Sequence, residues 1–206
     1  MYFLDLLGTL AFAITGAYKA KGAKLTLFGV VFLGVITALG GGTVRDLIIS
    51  RNPLFYLTDS NYLFVAISGS IITFLAPTFF KEKFSIFRLI DSIGLATFSI
   101  IGVSVSYNYI FADAGAGITS FFSCVLMGMM TAFVGGVIRD AVMGSVPVAF
   151  KPGSNYALSS FLGSFSFYIL MFYNVNLAII ISMIVALWMR EIVSKYGIFK
   201  RVFRRK

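Results

Sequence analysis

Two pairs of adjacent charges, Arg45-Asp46 and Arg139-Asp140, stand where charge is costly, and they are the residues of this chain best placed to do chemistry. The first closes the stretch Thr37-Ala-Leu-Gly-Gly-Gly-Thr-Val-Arg-Asp46, inside an apolar run from Leu25 to Ile49 that is long enough to cross a bilayer. The second closes Thr131-Ala-Phe-Val-Gly-Gly-Val-Ile-Arg-Asp140. A charge at bilayer depth costs roughly 2.5–3.5 kcal/mol on insertion scales, so such residues mark a functional site by default. Glycine weakens a helix by about 1 kcal/mol relative to alanine. Gly40, Gly41 and Gly42, and again Gly135 and Gly136, therefore predict a kink or break. Carbonyls freed at a break, with the hydroxyls of Thr37, Thr43 and Thr131, can coordinate a cation. The plainer alternative is that the glycines let two helices pack closely. An unpaired guanidinium repels cations and never deprotonates. Asp5 is accordingly expected to neutralise Arg45, and Asp91 to neutralise Arg139, which leaves Asp46 and Asp140 facing a watery path. Two arginines against four aspartates lean the set toward cations.

Composition limits what elements can carry these residues. Of 206 residues, 59% are hydrophobic and 12% charged, against about 25% charged in soluble domains. The mean hydropathy of +0.94 agrees. The chain is read as an all-α membrane protein. It has no histidine, which excludes imidazole metal sites and histidine acid–base chemistry. No serine–base constellation or carboxylate cluster with metal-ligand spacing occurs, so neither an enzyme activity, a cofactor nor a bound metal is expected. Cys124 stands alone in an apolar run and is expected to be a buried thiol. The net charge of +9 does not imply nucleic acid, because Lys200, Arg201, Arg204, Arg205 and Lys206 crowd one end beside a span. That is an orientation signal, and the basic tail is also a candidate for anionic lipid. The start, Met-Tyr-Phe-Leu-Asp5, lacks a basic n-region and reads as a retained first span.

Length and flanking charge give seven transmembrane segments: 2–17, 25–49, 61–80, 86–107, 118–143, 156–173 and 177–193. They form a single transmembrane domain, 1–196, followed by a basic cytoplasmic tail, 197–206. With the N-terminus outside, Lys19, Lys21, Lys24, Lys81, Lys83, Arg88, Lys151 and Arg190 all fall inside, and only Arg51 falls in an outer loop. Tyr56, Tyr62, Tyr107, Tyr109, Tyr156 and Tyr173 stand near segment ends, where an interfacial belt is expected.

The segments repeat. Asp5, Gly8, Phe12 and Gly16 match Asp91, Gly94, Phe98 and Gly102 at a spacing of 86. Gly34, Thr37, Gly41, Gly42, Arg45, Asp46, Pro53, Asn61, Tyr62 and Gly69 match residues 94 positions later. Repeat one is 2–80, repeat two is 86–173, and a seventh helix, 177–193, stands outside. Three crossings per repeat force the copies into opposite orientations, an arrangement that places a permeation or binding site at their interface.

Seven spans in this order, with Gly-Gly-Gly-Thr-Val-Arg-Asp46 in the second and Gly-Gly-Val-Ile-Arg-Asp140 in the fifth, resemble the trimeric intracellular cation channel family, in its compact prokaryotic branch. The resemblance implies a homotrimer in the cell membrane with a pore in each subunit. That pore would be lined by kinked second and fifth helices and would conduct monovalent cations, chiefly potassium with some sodium. The pore or ion path would then comprise Thr37, Gly40, Gly41, Gly42, Thr43, Arg45, Asp46, Thr131, Gly135, Gly136, Arg139 and Asp140, with Asp5 and Asp91 as charge partners. A related bacterial membrane family, assigned to glycine or other small amino-acid transport, shares the repeat and the signatures. A transporter is therefore the alternative, because an arginine beside a helix break can hold a substrate carboxylate.

Overall fold

The computed structural model describes residues 1–76, 84–112 and 115–196. The expected end of the third segment, with Lys81 and Lys83, the loop at Asp113 and the basic tail at 197–206 lie outside the described residues. The described chain is all helical. Seven longer helices are α1 (Tyr2–Gly22), α2 (Leu27–Ile48), α3 (Asn61–Leu75), α4 (Phe84–Ser106), α5 (Ile118–Val142), α6 (Tyr156–Leu170) and α7 (Val175–Tyr196). A one-turn helix, Phe55–Thr58, and a 3₁₀ turn, Val148–Phe150, follow α2 and α5 at corresponding places, and a π-helical turn, Tyr107–Phe111, extends α4.

Four of these helices are long and apolar enough to cross a membrane: α1, α2, α4 with its extension, and α5. Helices α3 and α6 have 15 residues each, or roughly 22 Å at 1.5 Å per residue, less than the ~30 Å hydrocarbon core. Large apolar side chains remain exposed around the bundle, among them Phe3 (86%), Phe28 (78%), Phe64 (74%) and Ile118 (79%). Water disfavours such a surface and lipid does not. Short polar devices set the helix ends. Thr26 caps α2 by accepting from the Gly29 amide at 3.3 Å, and the Asn174 side chain accepts from the amides of Asn176 and Leu177 at the start of α7. Lys21 donates to the carbonyls of Thr73 and Phe74, the last turn of α3, where a cation is favoured.

The helix is continuous through the glycines, contrary to the expected break: α2 runs unbroken from Leu27 to Ile48 and α5 from Ile118 to Val142. The reason is packing. A Cβ on Gly41 would strike the Thr131 carbonyl oxygen, and a Cβ on Gly135 would strike that of Thr37. The backbones of α2 and α5 occupy each other's missing side chains, and this contact offsets the helix penalty of glycine. Neighbouring contacts are reciprocal as well. Gly8 faces Thr97 and Phe98, while its match Gly94 faces Phe12, and the Phe12 and Phe98 rings meet edge-on with centroids 5.1 Å apart. Gly16 lies under Thr37 as Gly102 lies under Thr131. The core therefore centres on α1, α2, α4 and α5, with Phe12, Leu39, Leu95, Phe98, Ile101 and Ala132 buried together.

This packing predicts that Gly41→Ala lowers stability by about 1–3 kcal/mol through overpacking. Gly22→Ala, whose Cβ meets nothing within 4 Å, should change it by less than about 0.5 kcal/mol. Thermal unfolding in detergent micelles compares the two, and equal midpoints would show that the α2–α5 contact does not hold the fold.

Candidate functional site

The glycine seam is closely packed. Thr37, Gly41, Gly42, Thr131, Gly135 and Gly136 are buried, while Gly40 and Thr43 are half-buried. Thr37 donates to the Leu33 carbonyl at 2.6 Å, Thr43 to Leu39 at 2.9 Å and Thr131 to Met127 at 2.6 Å. Each hydroxyl thus spends its proton on its own helix. Gly40 lies against Ile138, Gly42 against the Phe55 ring and Gly136 against the Tyr156 hydroxyl. The seam brings the predicted glycines and threonines together, with no unpaired carbonyl of a broken helix between them.

The charges gather at the two ends of the seam. Asp91, on α4, is clamped from both sides: Arg139 Nη1 donates to Oδ1 at 2.7 Å and Arg190 Nη2 to Oδ2 at 2.7 Å. The expected Asp91–Arg139 pair is present. Arg190, read from sequence as part of the basic C-terminal end, instead anchors α7 into the core. Its Nε donates to Ser92 Oγ at 2.9 Å, and its guanidinium lies 3.9 Å over the Tyr156 ring. Arg88 pairs with Glu191 at 2.8 Å alongside. Arg139 Nε also donates to Asp140 Oδ1 at 2.8 Å. Asp140 does not face water as expected. It is 1% exposed, and it accepts from Lys19 Nζ at 2.8 Å and from the Val148 amide at 2.8 Å. The carboxylate therefore fixes the first turn of the 3₁₀ segment to the end of α5.

The Asp5 end is built differently. Arg45 does not reach Asp5. Its Nε and Nη2 donate to Asp46 Oδ1 at 2.8 and 2.7 Å, and Asp46 Oδ2 accepts from the Phe55 amide at 3.1 Å. Asp46 is fully buried and holds the one-turn helix as Asp140 holds the 3₁₀ turn, so it too faces no watery path. Asp5 receives the Tyr62 hydroxyl at 2.9 Å instead. Among the described residues no basic group comes within 4.0 Å of its carboxylate. At the matched place Asp91 takes two arginines. A hydrogen-bonded rim closes this end: Asn61 Nδ2 donates to Tyr2 Oη at 2.8 Å, and Tyr2 donates to Asp59 Oδ2 at 2.6 Å. The Tyr2 hydrogen bond holds the Asp59 carboxyl below its usual range.

The sequence reading therefore missed Lys19, Tyr62, Tyr156 and Arg190. Tyr62 (7% exposed) and Tyr156 (1%) belong to the charge clusters and not to an interfacial belt. Their matched positions in the repeat carried that signal. Counted with these partners, the Asp91 end sets Lys19, Arg88, Arg139 and Arg190 against Asp91, Asp140 and Glu191. That balance removes the simple acidic excess. Cys124 is buried, as expected.

Comparison with known proteins places this arrangement. The family model described as "Glycine transporter" matches residues 2–78 and 88–172. The UPF0126 inner membrane protein YadS of Escherichia coli K12 is 36% identical over 165 residues, covering 79% of this chain and 75% of that protein. The trimeric intracellular cation channel orthologue from Rhodobacter sphaeroides superposes with a TM-score of 0.85 at 28% identity, over 96% of this chain and 98% of that one. A prokaryotic TRIC channel crystallised in 0.5 M KCl gives 0.84 at 29% identity, over 96% and 98%. By the extent of these matches the chain belongs to this membrane-protein family, the UPF0126 proteins among them, and to the prokaryotic branch of the TRIC fold.

Proposed function

We propose that the chain is a potassium-permeable, monovalent-cation channel that works as a homotrimer with a path in each subunit between α2 and α5. The observation that carries this reading is the likeness, over nearly the whole chain, to trimeric intracellular cation channel structures. The two repeats are read as inverted copies about a twofold axis in the membrane plane, which the reciprocal glycine contacts support. All seven longer helices are then taken as crossings, with the N-terminus outside, the C-terminus inside and the chain in the bacterial cell membrane, as for the E. coli inner-membrane relative. The described conformation is closed on this reading, because the backbones of α2 and α5 are in contact along the seam. Opening separates Gly41 from Thr131 and Gly135 from Thr37, exposing helix carbonyls and threonine oxygens suited to an alkali cation. The Arg45–Asp46 and Arg139–Asp140 pairs neutralise the arginines at the two mouths.

A second reading, a small amino-acid transporter, is favoured by the family description "Glycine transporter". One reconstitution separates the two. In planar bilayers under a potassium chloride gradient, the channel reading expects unitary currents reversing at the potassium potential and unaffected by glycine. Saturable glycine uptake into proteoliposomes without unitary currents would overturn it.

The Asp91 clamp adds a prediction about α7. Arg190→Met leaves a buried carboxylate with one arginine, and breaking a buried pair on one side costs about 3–5 kcal/mol. The unfolding midpoint in micelles should fall clearly below wild type, with partial recovery in Arg190→Lys. An unchanged midpoint would mean that α7 is held by apolar packing alone.

A further inference from the structure

The Asp5 end of the bundle encloses a cavity of about 260 Å³ between the start of α1, the Phe55–Thr58 turn, the start of α3 and the second half of α4. Asp5 and Arg51, of opposite sign, both line it with hydrogen-bonding capacity to spare. Asp5 uses one carboxylate oxygen to accept from Tyr62, and its other oxygen makes no hydrogen bond among the described residues. Arg51 lines the same space, and its guanidinium donates no hydrogen bond among the described residues. Its nearest carboxylate oxygen, Asp46 Oδ1, lies 3.8 Å away and is already taken by Arg45 through Nε and Nη2. Asp5 and Arg51 do not bridge each other within 4.0 Å. They sit on separate elements, α1 and the link after α2, and leave space between them. The other carboxylate of the lining, Asp59, is engaged on both oxygens, by Tyr2 and by the Asn61 amide.

We propose that this cavity binds a small α-amino acid as its zwitterion, the ammonium group on Asp5 and the carboxylate on Arg51. A molecule with both charges completes both residues at once, whereas a bare cation meets the guanidinium and a bare anion meets the carboxylate. Two hydroxyls add polar contacts: Thr58, whose proton goes to the Phe55 carbonyl at 2.8 Å and leaves its lone pairs to accept from the ammonium, and Ser104. Phe55, Ile101 and Val105 form the remaining wall. That wall suits glycine or a short apolar side chain. The Asp91 end has no equivalent site, because Arg139 and Arg190 already satisfy that carboxylate. The site rests on the transporter reading only for its physiological use. On the channel reading it is a ligand site at the outer mouth.

The same zwitterionic chemistry occurs in a phosphatidylethanolamine headgroup, so the test separates the two sources. Thermal unfolding of the purified full chain in micelles is followed against glycine, alanine, glutamate, trimethylglycine, acetate and methylammonium. Glycine and alanine should raise the midpoint saturably, and the other four should not at equal concentration. Asp5→Asn and Arg51→Gln should each weaken the apparent glycine affinity at least tenfold. Val105→Trp, which fills the cavity and spares both charges, should abolish the shift and serves where a charge variant fails to fold. No saturable shift in wild type, or a shift retained in the variants, overturns the proposal. So does stabilisation by phosphatidylethanolamine in nanodiscs where glycine gives none. Glycine uptake that survives Asp5→Asn and Arg51→Gln removes the site and leaves the transporter reading standing. Saturable binding without uptake keeps the site and removes that reading.

Discussion

The structure depends on a close approach of two backbones. Gly41 of α2 meets the Thr131 carbonyl of α5, and Gly135 of α5 meets the Thr37 carbonyl of α2. Any side chain at either position would push the helices apart, and every other element is placed with respect to that pair. Helices α1 and α4 close the sides through the Phe12–Phe98 contact. Helices α3 and α6 pack behind α2 and α5, and α7 lies against α4 and α6. In a bilayer apolar area alone drives little helix association, because lipid tails are as apolar as leucine. Close backbone approach and buried polar contacts must supply the specificity.

The charges do the second part of that work. Each Arg-Asp pair is internally satisfied, and each aspartate also takes a backbone amide from the short helix that follows, Phe55 for Asp46 and Val148 for Asp140. A carboxylate in this position costs less than its burial implies, because its lone pairs are filled by a guanidinium and an amide. The pairs thus terminate α2 and α5 and fix the turns beyond them. The matched aspartates of α1 and α4 have diverged. Asp91 carries two arginines and ties α7 to the bundle, whereas Asp5 carries a tyrosine hydroxyl and faces a cavity. Two differences break the symmetry between them: Arg139 reaches Asp91 whereas Arg45 reaches only Asp46, and the seventh helix supplies Arg190 to one end only.

Much of this is legible in the sequence. Apolar run lengths gave the longer helices to within a few residues, since the bilayer sets segment length. The paired spacings of 86 and 94 identified the glycines, the arginines and the four aspartates as matched sets. Both tyrosines of the clusters, Tyr62 and Tyr156, stood in that register too, although their position near segment ends suggested a more ordinary role. The sequence by itself thus determined the membrane class, the repeat and the identity of most of the charged site. Tertiary structure decided the partners. Whether three glycines break a helix depends on what stands beside them, and here a second backbone does. Which arginine meets which aspartate depends on helix rotation and depth, which the bilayer period leaves free. Arg190, 99 residues from Asp91 along the chain, has no match in the repeat and no local pattern to mark it. Only packing of α7 against α4 brings its guanidinium to the carboxylate.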